Sequence, residues 1–286
     1  MPKDMPKERN DYVMDSESAT EMARLINQDR VMTEAMGGLF PERNGDLAGI
    51  NTILDIGCGP GGWVLDVARA YPNKRVVGVD ISNLMIEYAR ALAFSQRLDN
   101  AEFQVANVHT PMSFDDNTFD FINARFMVGF TPTKAWSAFL EECMRILKPG
   151  GIFRLTEGDV GSSTSASYTK LTMTMPLILK KLGFSFSPDG SSTGIAIAMR
   201  RLLRDASFTN IQKMAHALET APWLPGYQMW VDNMKVTFLT ARPAIVKLHI
   251  MPEDEYDSLY NQALMDMLSD DFYAIGYFLT MWGSKP

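Results

Sequence analysis

The chain has 286 residues, 46% of them hydrophobic and 21% charged, which is enough for one large domain or a domain with a cap. Its formal charge of -7 supplies no electrostatic footprint for a phosphate backbone, so no nucleic-acid partner is expected. Cys58 and Cys143 cannot build a disulfide framework, no cluster has metal-ligand spacing, and no apolar run is long enough to span a bilayer. A soluble, cytoplasmic protein is the reading.

The opening MPKDMPKERNDY is polar, lacks the apolar core of a signal peptide, and reads as disordered over residues 1–11. From Ser16 a helical pattern begins, with Ser16 or Ser18 able to cap and Ala19, Met22, Leu25 and Ile26 at helical spacing. A second short helix over residues 31–36 is expected to stop at Gly37-Gly38. The strand Thr52–Ile56 follows, and from there strand and helix alternate. GGWVLDVARAY is a helix, RVVGVD a strand ending in an acid, and SNLMIEYARALAF a helix capped by Ser82. In that last helix Leu84, Ile86, Tyr88, Ala91 and Leu92 are the expected apolar positions. AEFQVAN and FDFINARF are the third and fourth strands. Thr131 is expected to cap the next helix, with Pro132 in its first turn and Trp136, Leu140, Cys143 and Leu147 inward. IFRLTEGD is the fifth strand. Apolar strands separated by amphipathic helices imply a parallel sheet covered on both faces.

After Gly158 the rhythm changes. A Ser-rich connection leads into LTMTMPLILKKLGF, a helix that Pro176 kinks or restarts. STGIAIAMRRLLRDASF is another helix, FTNIQKMAHALE a sixth strand, and FYAIGYFLTMW the last. The 20 methionines are the least ordinary number, because Met fills irregular gaps and adaptable apolar surfaces.

The string ILDIGCGPGGW, residues 53–63, carries the chemistry. Four glycines fall within residues 57–62, at the end of a first parallel strand, where ligands sit in the crevice at which strand order reverses. Glycine removes the Cβ atoms that would hold a ligand off the backbone. Gly57, Gly59 and Gly62 also fit G-x-G-x-x-G, and Asp80 lies about twenty residues further on, where an acid can take a ribose hydroxyl. That pattern alone suits a nicotinamide or flavin protein as well as another adenosine binder. Three features favour the latter. Asp55 stands two residues before the first glycine, and a carboxylate there suits an ammonium or sulfonium, not a diphosphate. No Arg or Lys occurs in residues 53–68 to supplement a helix dipole for phosphate. The helix after the fourth strand ends in LKPGG and runs directly into the fifth.

At LDIGCGPGGW, VVGVDIS and RILKPGGIF the chain resembles the class I S-adenosylmethionine-dependent methyltransferases, over about residues 50–157. It looks most like their small-molecule branch, typified by ubiquinone/menaquinone C-methyltransferases. The resemblance implies a doubly wound, Rossmann-like, mostly parallel seven-stranded sheet with a largely helical cap. Residues 1–50 would be an N-terminal cap segment and 51–160 the S-adenosylmethionine-binding core. Residues 161–205 would be a cap insertion, and 206–286 the last strands with a second insertion at about 221–270. By position, Gly57, Cys58 and Gly59 would pass under the methionine part and Asp55 would reach its amino group. Asp80 would hold the ribose, Ile81 and Met85 would sandwich adenine, and Asn107-Val108 would face its edge. The backbone of Asn123, Ala124 and Arg125 would close over the methionine tail. Asn107 stands where the family has Asp, so an amide oxygen would receive the adenine amino group. NARF lacks the N-P-P-Y-type turn of enzymes acting on exocyclic amino groups of adenine or on glutamine.

The resemblance implies methyl transfer to a small, largely apolar or aromatic acceptor, by a monomer or homodimer. Glu157 and Asp159, ending the fifth strand, and His109 are the nominees for a base. Cys58 reads as a small filler, since no basic neighbour lowers its pKa; His216 and His249 read as structural. Met173, Met175, Trp223, Met229, Trp230 and Met234 lie in segments that would hang over the sheet and line an acceptor pocket. Tyr12 and Gln28 would close the other wall. Two rivals stay open: an NAD(P)-dependent oxidoreductase that shares the glycine pattern, and a non-catalytic S-adenosylmethionine-binding module.

Overall fold

The computed structural model describes residues 18–286; the disorder expected for residues 1–11, a cap by Ser16 and the role of Tyr12 fall outside them. Among the described residues one sheet forms from β1 (Thr52–Ile56), β2 (Arg75–Asp80), β3 (Ala101–Val105), β4 (Phe119–Arg125), β5 (Leu147–Ser163), β6 (Thr209–Thr220) and β7 (Ala274–Ser284). The order is β3-β2-β1-β4-β5-β7-β6, parallel throughout except for the pairs made by β7. Strand order therefore reverses between β1 and β4, which puts the crevice of a doubly wound fold at their carboxyl ends.

The central strands are apolar on both faces because both faces are covered. Ile53, Leu54, Ile56, Val76, Val77, Phe121 and Ile122 are fully buried, each contributing about 1.5–3 kcal/mol by leaving water. On one face α2 (Gly62–Ala70) and α3 (Asn83–Gln96) pack Trp63, Val64, Val67, Ile86 and Ala89 against Ile53 and Phe121. On the other, α4 (Trp136–Ile146) and α7 (Ile195–Asp205) pack Trp136, Leu140, Cys143, Met199 and Leu203 against Leu54, Ile122 and Phe153. A separate apolar cluster joins α5 (Ala166–Thr172), α6 (Thr174–Leu182), α8 (Tyr227–Lys247) and α9 (Glu253–Asp266) through Tyr168, Ile178, Phe238 and Tyr256.

Four local readings are corrected. The N-terminal helix α1 (Ala19–Ala35) is continuous through residue 31, because no Gly or Pro interrupts it and Val31, Met32 and Met36 extend its buried face onto Leu218. Ser18 occupies the cap position without a side-chain cap bond. In α3 Ser82 does cap, its Oγ accepting from the Met85 N–H at 3.2 Å. The buried face there, however, is Met85, Ile86, Ala89 and Ala93, about one position round from the set expected. Thr131 is not a cap: a 3-10 turn at Thr133–Ala135 intervenes, and the Thr131 carbonyl accepts from Trp136 Nε1 at 3.2 Å. Pro176 restarts the helix as expected. The break falls at Met173, which leaves Pro176 in the first turn of α6, where it removes no helical hydrogen bond.

Candidate functional site

The glycine loop is shaped by close contact. Gly57, Gly59 and Gly61 have φ of +68, +52 and +83°, a region L-residues enter at a cost. A Cβ on Gly61 would lie 2.7 Å from the Phe103 ring and 2.8 Å from Ala89, so this glycine lets the start of α2 lie against β3 and α3. Asp80 staples the loop to the end of β2: its Oδ2 accepts from the Gly59 N–H and its Oδ1 from the Ser82 N–H, both at 2.9 Å. Cys58 fills the space over Gly78, where a Cβ would come within 2.9 Å of Sγ. Burial pushes its thiol well up, which removes it as a nucleophile.

A cleft of about 1140 Å³, open mouth included, lies over this loop. The sequence-derived residues Asp55, Gly57, Cys58, Gly59, Asp80, Ile81, Met85, Asn107, Val108 and Arg125 line it together, as do His109 and Gln28. All but Gln28 come from the carboxyl ends of β1–β4 or the segments after them; Gln28 comes from α1.

Asn123 and Ala124 do not line the cleft. They are fully buried within β4, and the Asn123 side chain is engaged behind it, donating from Nδ2 to Asp55 Oδ1 at 2.7 Å. Its Oδ1 accepts from Arg154 Nε at 2.9 Å. Arg154 in turn donates from Nη1 to the Leu39 carbonyl at 2.8 Å and to Glu42 Oε1 at 2.9 Å. Its guanidinium lies 5.1–5.3 Å from the centres of the Phe40, Trp63 and Phe121 rings. A buried polar chain, Glu42–Arg154–Asn123–Asp55, thus orients the acid below the loop. Burial pushes the Asp55 carboxyl up to about 6, against the opposing pull of Arg125 and the Asn123 hydrogen bond.

Asn107 is also used differently. Its Oδ1 accepts from the His109 N–H at 3.0 Å, a local turn that engages the oxygen expected to face the adenine amino group. His109 Nε2 lies 3.0 Å from the Phe130 carbonyl. A carbonyl can only accept, so Nε2 carries a proton, and the buried Nδ1 has no partner among the described residues. His109 therefore lines the cleft over the glycine loop and not the second cavity described below.

A second cavity of about 960 Å³ lies between the ends of β5 and β7 and the helices α5, α6 and α8. Asp159, Trp230, Met175 and Met234 line it; Met173 and Glu157 line neither cavity. Trp223 is 63% exposed on the loop after β6, and Met229 packs in the apolar cluster around α1. Glu157 is wholly buried, its Oε1 accepting from the Val128 N–H at 3.2 Å and its Oε2 without a partner among the described residues. Burial pushes its carboxyl up to about 8. Strand alternation does not explain the split, since residues two apart on β5 share a face. Depth does, because Glu157 lies where β5 is covered by the Val128 backbone, while Asp159 lies further along, where the pairing with β7 loses its register.

Phe126 and Phe278 separate the two cavities, one lining each, their rings edge-to-face at 6.0 Å. Phe126 has φ of 57°, an uncommon conformation for a bulky residue. The sequence reading also missed Asp29 of α1. Its Oδ1 lies 2.6 Å from Arg125 Nη2, and a Cβ on Gly62 would meet its Oδ2 at 2.2 Å, so this carboxylate sits over the first turn of α2. Nothing in its helical spacing marked it, whereas an arginine inside the apolar run IFRL was a visible signal for Arg154.

Residues 53–151 match a family model described as a methyltransferase domain. A demethylmenaquinone methyltransferase of Lactococcus lactis subsp. lactis is 35% identical over 111 residues, 38% of this chain and 42% of that protein. The chain thus spans under half the length of that relative. Methyltransferase pytC of Aspergillus terreus is 26% identical over 250 residues, covering 82% of this chain and 71% of its own. A phosphoethanolamine N-methyltransferase 2 of Haemonchus contortus, solved with S-adenosyl-L-methionine, superposes with a TM-score of 0.54 at 17% identity, over 94% of this chain and 57% of that one. That likeness is one of fold. The site fits the cofactor: bare backbone at Gly57 and Gly59, carboxylates at Asp55 and Asp80, and no lysine among the described lining residues. The nicotinamide reading of the glycine pattern is thereby set aside in favour of a methyltransferase domain over residues 53–151, the part of the chain that the family model matches.

Proposed function

We propose that this protein transfers a methyl group from S-adenosylmethionine to a small, largely apolar or aromatic acceptor of natural-product or quinone-like type. The observation that carries the reading is the apolar chamber beyond the Phe126–Phe278 pair, next to the glycine-loop cleft. The name of the demethylmenaquinone relative supports the same class of acceptor.

In this reading Asp80 holds the ribose, Ile81 and Met85 flank adenine, and Val108 faces its edge. Asp55, with Arg125 and Asp29, receives the amino-acid end. Bound there, S-adenosylmethionine supplies an electrophilic methyl carbon on a sulfonium. The protein's own work is alignment and the exclusion of water. Phe130 contributes to the latter, since a Cβ on Gly57 would come within 3.0 Å of its ring. Asp159, which lines the chamber, is the residue placed to take a proton from an oxygen or carbon acceptor.

Asp80→Ala removes the ribose partner and the acceptor for the Gly59 N–H together. S-adenosylhomocysteine affinity measured by calorimetry is expected to fall by about 1.5–3 kcal/mol, roughly 10- to 150-fold. Unchanged affinity would place the ribose elsewhere. The function itself is tested by incubating the protein with S-adenosylmethionine and a library of quinols, phenols and apolar amines. Mass spectrometry is expected to find an acceptor that gains one methyl as S-adenosylhomocysteine accumulates. Tight cofactor binding without any turnover would instead favour a binding module.

A further inference from the structure

We infer that the chamber selects an apolar molecule bearing a hydrogen-bond donor, an amine or a hydroxyl, and rejects carboxylates and phosphates. The inference rests on the chamber being the acceptor site, and it narrows the acceptor by charge.

Among the described residues Asp159 is the only charged side chain lining the chamber, with no Lys, Arg or His beside it. Its Oδ1 accepts from the Val160 N–H at 2.8 Å and the Thr193 N–H at 3.3 Å, which fixes the carboxylate against the end of β5. Its Oδ2 makes no hydrogen bond among the described residues, and it is the strongest acceptor the lining offers. The other polar groups do not balance it. The hydroxyls of Thr172, Thr174, Thr193, Thr220 and Thr237 donate to backbone carbonyls at 2.6–3.3 Å, and Ser162 adds a neutral hydroxyl but no positive charge. Trp230 Nε1 donates to the Tyr168 hydroxyl at 3.2 Å, and burial raises the Tyr168 phenol, which stays neutral.

An anionic acceptor would thus enter an apolar space holding one uncompensated negative charge and no cation to pair with. In a poorly screened site such repulsion is strong. An ammonium or hydroxyl meets a fixed carboxylate oxygen instead, and a charge-assisted hydrogen bond is about twice as strong as a neutral one. The rest of the lining, including Phe278, Phe238, Met175 and Met234, takes the apolar body.

The test uses four probes of one chain length, octylamine, 1-octanol, octyl methyl ether and octanoate. Each is titrated calorimetrically at pH 7 into the full chain saturated with S-adenosylhomocysteine. Octylamine, protonated at that pH, and octanol are expected to bind, with octanoate and the ether each about tenfold weaker than octanol. In Asp159→Asn, checked for folding by its thermal transition, octylamine is expected to lose about tenfold and octanoate to draw level with octanol. Octanoate binding as tightly as octanol to the unmodified protein would overturn the inference. So would a ranking unchanged in Asp159→Asn, or no binding by any probe. Failure to bind S-adenosylhomocysteine in the loading step would instead count against the cofactor reading, which separates the two.

Discussion

Arg154→Met is expected to destabilise the protein by about 3–5 kcal/mol, the range for removing one partner of a buried ion pair. Arg154 is 4% exposed, and the side chain of Glu42, its ionic partner, is 2% exposed. Without the guanidinium, Glu42 is a buried charge stripped of this ionic partner, and the Leu39 carbonyl and the Asn123 amide oxygen each lose the Arg154 donor. Methionine keeps much of the stem's volume, so the loss reports on charge and hydrogen bonding more than on a cavity. Urea unfolding should show a lower midpoint with an unchanged slope. Adding Glu42→Gln to Arg154→Met should recover part of the loss, because the stranded charge is gone. A single-variant loss below about 1 kcal/mol would mean that water relieves the site. The same substitution is expected to weaken cofactor binding, since Asp55 is oriented through Asn123.

The second large effect is a pH dependence carried by Glu157. Its carboxyl is raised from 4.5 to about 8 in the folded protein by burial. Below pH 4.5 the group is protonated in folded and unfolded chains alike and contributes no difference. As pH rises through 4.5 the unfolded chain ionises while the folded one holds its proton, so stability falls. The loss continues until about pH 8, where the folded group ionises too, and is constant above that. Glu157→Gln removes this penalty while keeping an oxygen to accept from the Val128 N–H. The variant is expected to match the parent near pH 4 and to exceed it at pH 8 by roughly 2–5 kcal/mol. Parallel stability curves across that range would show that the native protein already ionises this acid with little cost.

Sequence by itself determined what is locally encoded. The alternation of apolar strands and amphipathic helices predicted a parallel sheet covered on both faces, because the period of apolar residues reports which surface an element must bury, and the family resemblance implied its seven strands. The glycine run and the acids at Asp55 and Asp80 marked residues that line one cleft, since a close backbone approach restricts the residue types that fit. Only the tertiary structure decided which side chains share a space. Asn123 and Arg154 face away from the cleft they support, Glu157 is buried while Asp159, two positions further along β5, lines the chamber, and Trp223 points to solvent while Trp230 lines the chamber. Those outcomes depend on strand register and on contacts between segments far apart in the chain, such as Arg24 with Asn233 or Phe126 with Phe278. A one-residue shift in a strand exchanges its two faces while leaving composition and spacing untouched, so the local pattern carries no record of the choice.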